Sequence, residues 1–344
     1  MAWSEIYVDP SIAGDSGAGT IGDPFGDLEY AIEQTTFDAT NGTRVNIKAG
    51  TNEIIAAGLN VAMADTGTTI AWVPTELKRA VFQGYTATAG DGGIGGITGS
   101  GTIAVLAGTL SFVSFIDMHL TNSGTANTIT AGNDIHIIGC EIDTCANRAI
   151  SCGGRVLVDS CYLHTITGSY GILITSNPVI SNCYVDCDTT SAGINFAGGL
   201  AYRNIVVQAN VNGTGILNNT DGGQIIGNSV YMSNAAPVGT GIFITSGTSA
   251  MVCSNNLVEG ASGAGGIGIN IDATSGQCGI VEGNAVYDCT TAYSVPGRAA
   301  GRSLDNETLT ASPFTSAATG DFSPVDTGNV KEGALPQIIG GGLV

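Results

Sequence analysis

A short apolar motif returns along this chain about every 22 residues, and that return constrains the fold more than any other feature. Ile137-Ile-Gly-Cys-Glu-Ile142, Val158-Asp-Ser-Cys-Tyr-Leu163, Ile180-Ser-Asn-Cys-Tyr-Val185 and Tyr202-Arg-Asn-Ile-Val-Val207 align, with Cys140, Cys161, Cys183 and Ile205 in the fourth position. Met118 stands 22 residues before Cys140. A second motif keeps the same step: Gly171-Ile, Gly193-Ile, Gly215-Ile, Gly241-Ile and Gly268-Ile, spaced 22, 22, 26 and 27. Apolar side chains alternate at a period of two within each motif, which is strand spacing and not helix spacing. Short strands repeating at this interval between Gly, Ser, Thr and Asn turns describe one coil of a parallel β-solenoid.

In such a coil equivalent residues stack about 4.8 Å apart along the axis. Met118, Cys140, Cys161, Cys183 and Ile205 form one inward column, and Leu120, Ile142, Leu163, Val185 and Val207 another. The position before the Cys stack reads Asn182, Asn204, Asn228, Asn255 and Asn284, a ladder of amides able to bond one another along the axis. Outward columns read Thr121, Asp143, His164, Asp186, Gln208 and His119, Glu141, Tyr162, Tyr184.

The open edges of a solenoid need caps. Asp27-Leu-Glu-Tyr-Ala-Ile-Glu-Gln34 reads as a short amphipathic helix with Asp27 as N-cap, ahead of a first strand at Arg44–Gly50. Residues 87–101 read as a Gly-rich loop interrupting the early coils. The expected organisation is an N-terminal cap and first strand over 1–50, a β-helix body over 51–296, and a C-terminal cap or interaction tail over 297–344.

Composition narrows the partners. The net charge is −19, and no Lys occurs between Arg79 and Lys331, so no basic stripe exists for nucleic acid. The 18 residues from Ile103 to Leu120 are the most apolar stretch and are broken by polar residues, so no membrane span is expected. Nine cysteines without zinc-site spacing read as reduced core thiols, and neither a cofactor nor a metal site is expected. The N-terminus lacks the basic and apolar segments of a secretory signal, so synthesis in a host cytoplasm is expected.

Ile6-Tyr-Val-Asp-Pro10, Gly22-Asp-Pro-Phe25, the helix at 27–36 and Val45-Asn-Ile-Lys-Ala-Gly-Thr51 resemble the opening of the pectate-lyase-like, right-handed parallel β-helix superfamily, and repeats 113–295 resemble its coils. The resemblance implies an all-β right-handed parallel β-helix with a short N-terminal capping helix and an irregular C-terminal tail. It points to lyases, polygalacturonases, tailspikes or non-enzymatic phage virion proteins. The ending, with Ser312-Pro-Phe, Gly320-Asp-Phe-Ser-Pro and Glu332-Gly-Ala-Leu, resembles tails of β-helix proteins encoded among phage structural genes. Of the polygalacturonase-like motifs only Asn-x-Asp occurs, as Asn219-Thr-Asp221 and Asn270-Ile-Asp272; Asp-Asp, Gly-His-Gly and Arg-x-Lys do not. Among coils 105–295 the basic residues are Arg148, Arg155 and Arg203.

The leading expectation is a non-enzymatic structural protein of a bacteriophage virion, capsid-decorating or fibre-like, paired with other virion proteins and with its own copies as a homotrimer. The alternative is a polysaccharide-degrading enzyme or tailspike-type depolymerase, or a carbohydrate-binding module for a surface glycan. Its candidate residues are Asp143, His164 and Asp186 for catalysis, with Tyr162 and Tyr184 to stack on sugar rings. Two carboxylates two coils apart fall near the spacing that flanks a water in inverting glycosidases.

Overall fold

From Val113 to Ser294 the coils lay down three short strands per turn, one in each of three parallel sheets, here named A, B and C, and the described coils before and after add strands to A and C alone. The computed structural model describes residues 3–55, 62–63, 70–71, 74–99, 101–107, 111–220, 222–245, 251–272, 278–295 and 300–324. The chain divides into two units, residues 1–166 and 167–344. The architecture is that of a parallel β-helix, with the right-handed sense that parallel crossovers favour. Among the described residues no helix is long and apolar enough to cross a membrane.

Unit 1 begins with a strand that the sequence reading placed only in the opening motif. Ser4–Val8 pairs in parallel with Thr43–Lys48, so the first coil starts at residue 4. Between them lies α1, Leu28–Gln34, whose cap is as expected: the Asp27 carboxylate accepts from the Tyr30 N–H at 2.7 Å. Leu28, Ala31 and Ile32 form its buried face. Sheet C of unit 1 is built from Asn52–Ile55, Gly95–Gly99, Met118–Thr121, Glu141–Asp143 and Tyr162–Ile166. The second of these corrects the loop expected over 87–101. Gly95–Gly99 is a strand because Ile97 is fully buried between Glu53 and Leu120 in register. Its glycines serve close packing: a Cβ on Gly95 would stand 2.4 Å from the Ile47 carbonyl oxygen.

In unit 2 sheet C comprises Tyr184–Cys187, Ile205–Gln208, Ser229–Met232, Leu257–Glu259, Ala285–Tyr287 and Glu307–Thr308. Coiling thus continues past the boundary placed at 296, through Ala300–Leu304 in sheet A and Glu307–Thr308 in sheet C. The reason is that the Asn column runs on to Asn306, whose Oδ1 accepts from the Asn284 amide at 2.8 Å.

The register of unit 2 differs by one residue from that read in the sequence. Tyr184 pairs with Ile205, so Cys183 is followed in its column by Asn204, not Ile205. The column then runs Asn228, Asn256, Asn284, Asn306. Within unit 2 Cys183 and the asparagine ladder therefore share one column that changes residue type. The residues just before it hold the left-handed turn: Asn182 at φ 54°, Arg203 at 54°, Asn255 at 55° and Asp305 at 52°. Asn182 and Asn255 are consequently turn residues and not rungs. Because strand side chains alternate, a one-residue slip exchanges faces. Val206, not Val207, is the inward residue, and Gln208 is buried against Thr189 of the preceding coil.

The corrected register also explains the Gly-Ile repeat of sheet B. A Cβ on Gly193, Gly215, Gly241 or Gly268 would lie 2.6, 2.3, 2.2 or 2.5 Å from Cγ1 of Val206, Val230, Val258 or Val286. The glycines are there for room. Each lets a fully buried valine of sheet C fill the coil.

After Thr308 the chain leaves the coil and forms an antiparallel hairpin, Phe314–Ser316 with Asp321–Pro324. Phe314 and Ala317 pack on Leu257, Ala285 and Leu309, with Tyr231, Tyr287 and Phe322 at the rim. Residues 310–324 thus cap this chain's own sheet C. Residues 325–344 of the expected cap or interaction tail lie outside the described residues.

Eight cysteines have described side chains, all as thiols outside any disulfide, seven of them buried. Burial pushes the Cys145, Cys152 and Cys187 thiols up to about 12, so they are inert packing groups.

Candidate functional site

Strand alternation presents every second residue of sheet C to solvent. In unit 1 one outward column reads Asn52, Gly96, His119, Glu141, Tyr162. The column beside it reads Ile54, Thr98, Thr121, Asp143 and, one step beyond the paired Leu163, His164. Two imidazoles, two carboxylates and a phenol are therefore gathered over three successive coils.

The expected pairing of Asp143 with His164 is replaced by two diagonal pairs. His119 Nε2 stands 3.1 Å from Asp143 Oδ1, and His164 Nε2 stands 3.0 Å from Glu141 Oε1. An ionised carboxylate only accepts, so each Nε2 carries a proton, and in the neutral imidazole Nδ1 is then the acceptor. The remaining contacts agree with that assignment. The Asn52 amide lies 3.3 Å from His119 Nδ1, and the Thr165 hydroxyl lies 3.0 Å from His164 Nδ1. Diagonals win because strand spacing and side-chain lean bring an imidazole to the carboxylate one column over.

Gly96 makes the Asn52 contact possible. Asn52 reaches His119 across the intervening strand, and a Cβ on Gly96 would stand 1.9 Å from Asn52 Oδ1. Asn52, Gly96 and Thr165 were not singled out in the sequence. The signal for the first two was their place in the same outward column, hidden by reading 87–101 as a loop.

Tyr162 is 38% exposed, and its ring stacks on His164 at 4.6 Å between centroids, tilted 37°. The four paired side chains are between 21% and 31% exposed, so the face is wet and reachable. Thr165, inside the strand Tyr162–Ile166, holds φ at 56°, and Thr144, directly after Glu141–Asp143, holds 53° one coil earlier.

Asp186 and Tyr184 belong to unit 2, where the surroundings differ. Asp186 pairs in register with Val207, and Tyr184 lies against Phe322 of the C-terminal hairpin, 6.2 Å between centroids. Tyr184 is therefore part of the hairpin's seat. The outward residues of sheet C in unit 2, Ile205, Val207 and Leu257, are 2%, 8% and 1% exposed. Glu259, half-buried in the same surface, accepts from the Ser312 hydroxyl at 2.7 Å, and burial pushes its carboxyl upward.

Of the two Asn-x-Asp motifs only the first is turn-associated, and the second begins inside a strand. Asn219 is exposed just after a sheet B strand, Asp221 lies outside the described residues, and Asn270 is an outward residue of sheet B. Arg155 pairs with Asp134 at 2.8 Å, and Arg148 donates to Ser151 at 3.3 Å. Among the described residues no group of three or more His, Cys, Asp or Glu is placed to hold a metal ion.

The fold and face define a parallel β-helix protein with a polar, imidazole-carboxylate surface on one sheet. Solved structures similar to the chain include a rhamnogalacturonan lyase, 14% identical over 96% of this chain and 97% of that one, at a TM-score of 0.41. They also include the periplasmic alginate epimerase AlgG, 10% identical over 89% of this chain and 84% of that one, at 0.31. No protein-family model matches the chain, and no curated protein matches it.

Proposed function

We propose that the protein is a rigid β-helix that recognises a carbohydrate chain on the sheet C face of unit 1. The observation that carries this is the pair of imidazoles, each fixed in orientation by a carboxylate, beside the exposed and stacked Tyr162. Oriented N–H and carboxylate groups beside an aromatic ring are what a sugar, with hydroxyls on its rim and C–H groups on its face, requires. Successive coils repeat these groups at strand spacing, which suits an extended chain lying along the axis.

Binding is favoured over cleavage. Glu141 and Asp143 each spend one carboxylate oxygen on orienting an imidazole, a role that holds donors in place for binding. The anionic chain also disfavours anionic glycans at long range, since its net charge is −19. The test is a glycan array with wild type, His119→Ala, Tyr162→Ala and Glu141→Gln. Retention of neutral glycans that weakens about tenfold in each variant supports the reading; equal retention by all four refutes it.

A second reading, a non-enzymatic structural component of a bacteriophage virion, has one observation in its favour. Unit 2 commits its interior polar groups to self-stacking: five asparagines bond one another along the coil and leave a rigid scaffold. Sedimentation of the native protein after nuclease treatment tests it. Pelleting with nuclease-resistant particles supports a virion component; a soluble species contradicts it. The mass of the soluble or released form tests the homotrimer.

A further inference from the structure

The C-terminal hairpin of unit 2 is a separate piece of sheet laid over the coil. Leu309 N–H bonds to the Val286 carbonyl at 2.8 Å, and there the described backbone pairing with the coil ends. Thr310 and Ala311 follow, both exposed. Phe314–Ser316 and Asp321–Pro324 then pair with each other and with no described strand of the coil. Side chains therefore hold the hairpin down: Phe314 and Ala317 in the apolar seat, and Phe322 against Tyr184 and Tyr231.

A titratable contact stands among these apolar ones. Glu259 lies in an outward column of sheet C with Tyr231 and Tyr287 in register on either side. Its Oε2 accepts from the Ser312 hydroxyl at 2.7 Å. That hydroxyl has a second acceptor within reach, the Phe314 carbonyl at 3.3 Å, and its oxygen accepts from the Phe314 N–H at 3.2 Å. A hydroxyl carries one proton and two lone pairs. When Glu259 is ionised, the proton goes to the carboxylate, the nearer acceptor. When Glu259 is protonated, the carboxyl O–H donates to Ser312 Oγ, and the hydroxyl proton turns to the Phe314 carbonyl. Protonation thus adds a bond to the chain Glu259–Ser312–Phe314 and removes a half-buried charge.

The surroundings do not balance that charge. Asp288 and Cys289, in the turn after Ala285–Tyr287, and the Tyr231 and Tyr287 phenols are the other titratable groups around Glu259. On the hairpin side Ser312 meets it, and Asp321, the charged residue of 310–324, is exposed. Among the described side chains of unit 2 the one cation is Arg203, engaged over the Tyr202 ring of sheet A at 4.8 Å.

We infer that the hairpin is a proton-tightened strap: it clamps sheet C of unit 2 through Glu259, Ser312 and Phe314 when Glu259 is protonated, and its hold loosens when Glu259 is ionised. Burial pushes the docked Glu259 carboxyl above its ordinary 4.5, the Ser312 bond holds it back, and Asp288 adds to the push. Undocking returns the group to water and to its ordinary value. A raised docked value makes the extra hold complete below 4.5, and that hold is lost as pH rises through the docked value. Loosening bares an aromatic strip that includes Tyr184 and Tyr231, with Leu257 beside it. The strap stands apart from the unit 1 face and does not depend on glycan recognition there.

The test is hydrogen exchange of the full chain between about pH 4 and about pH 7, corrected for the intrinsic pH dependence of amide exchange. Protection of the amides in 312–324 falls by about threefold or more as pH rises, the scale of one hydrogen bond, while the sheet C amides of 205–208 and 229–232 keep theirs. Glu259→Gln, whose amide donates to Ser312 Oγ as the protonated acid does, keeps the low-pH protection across the whole range. Ser312→Ala removes the clamp and lowers protection of 312–324 at both ends of the range, again by about threefold or more. Wild-type protection of 312–324 that does not change with pH overturns the strap. A Glu259→Gln protein that follows the wild-type pH profile overturns it as well, as does a Ser312→Ala protein protected like wild type.

Discussion

Substitution of Asn256 by Ala removes the middle rung of the ladder, and the structure sets the size of the effect. The Asn256 amide donates to the Ile225 carbonyl at 2.9 Å and to Asn284 Oδ1 at 3.0 Å. Its Oδ1 accepts from the Asn228 backbone N–H at 2.9 Å and from the Asn228 amide at 3.0 Å. The residue is 1% exposed, so water does not replace what is lost. The Asn228 amide keeps the Ala201 carbonyl as partner, but the Asn228 backbone N–H and the Ile225 carbonyl each lose the bond described. Two dehydrated groups at about 1–3 kcal/mol each put the cost of N256A at about 2–6 kcal/mol. Asn306 is the control: it is the last rung, half-exposed, and N306A costs about 1 kcal/mol because water reaches the freed groups. Urea unfolding gives the totals, and hydrogen exchange places the loss at the Asn228 amide. A cost for N256A below about 1 kcal/mol, or one equal to that of N306A, refutes the ladder as a cooperative buried network.

Gly215→Ala forces a methyl group to within 2.3 Å of Val230 Cγ1 and costs about 1–3 kcal/mol; adding Val230→Ala recovers part of it, and a double-mutant cycle without that coupling contradicts the packing account. Glu53, 6% exposed under α1 with Asp27 and Glu29 nearby, is pushed up to about 8, chiefly by burial. A raised folded value gives stability that is complete below the unfolded value near 4.5 and lost as pH rises through about 8, so the melting temperature falls across that window. Glu53→Gln flattens that fall, and an unchanged pH profile counts against it. Phe322→Ala removes ring contacts to Tyr184, Tyr231 and Phe314, at 6.2, 6.1 and 5.2 Å between centroids, and costs about 2–3 kcal/mol of hairpin docking. Limited proteolysis reads it as faster cleavage within 309–324, while coil exchange rates stay unchanged.

Fold legibility followed from stacking, since a repeat that buries the same positions in every coil writes itself into sequence spacing. The Asp27 cap, the inward Leu120, Ile142 and Leu163 and the buried thiols were all readable this way. What failed was register after Cys183, where the marker residue of the column changes from cysteine to asparagine. The step from Cys183 to Asn204 is 21, and holding it at 22 moved Val207 inward and split one column into two. The missed strand at Gly95–Gly99 has another cause: four of its five residues are glycine or threonine, chosen for space rather than for apolar pattern. Of the candidate site, the residues were legible but their partners were not. Columns place His164 beside Asp143, whereas side-chain length and lean deliver it to Glu141. Tyr184 was misread because the hairpin covering it arrives from residues 310–324. A signal was present in the outward columns, which turn from His, Glu and Asp in unit 1 to Ile205, Val207 and Leu257 in unit 2. Apolar residues facing outward on a strand announce a cover.

The most direct measurement of the central claim is calorimetric titration of a neutral oligosaccharide, taken from the best array response, into wild type and into His119→Ala with Tyr162→Ala. The account predicts binding by wild type and a loss of about a hundredfold in the double variant, two interactions of roughly tenfold each, with the folded state unchanged by circular dichroism. Equal affinity in both proteins would place recognition elsewhere on the coil, and no binding by either would leave the sheet C face of unit 1 without the role assigned to it.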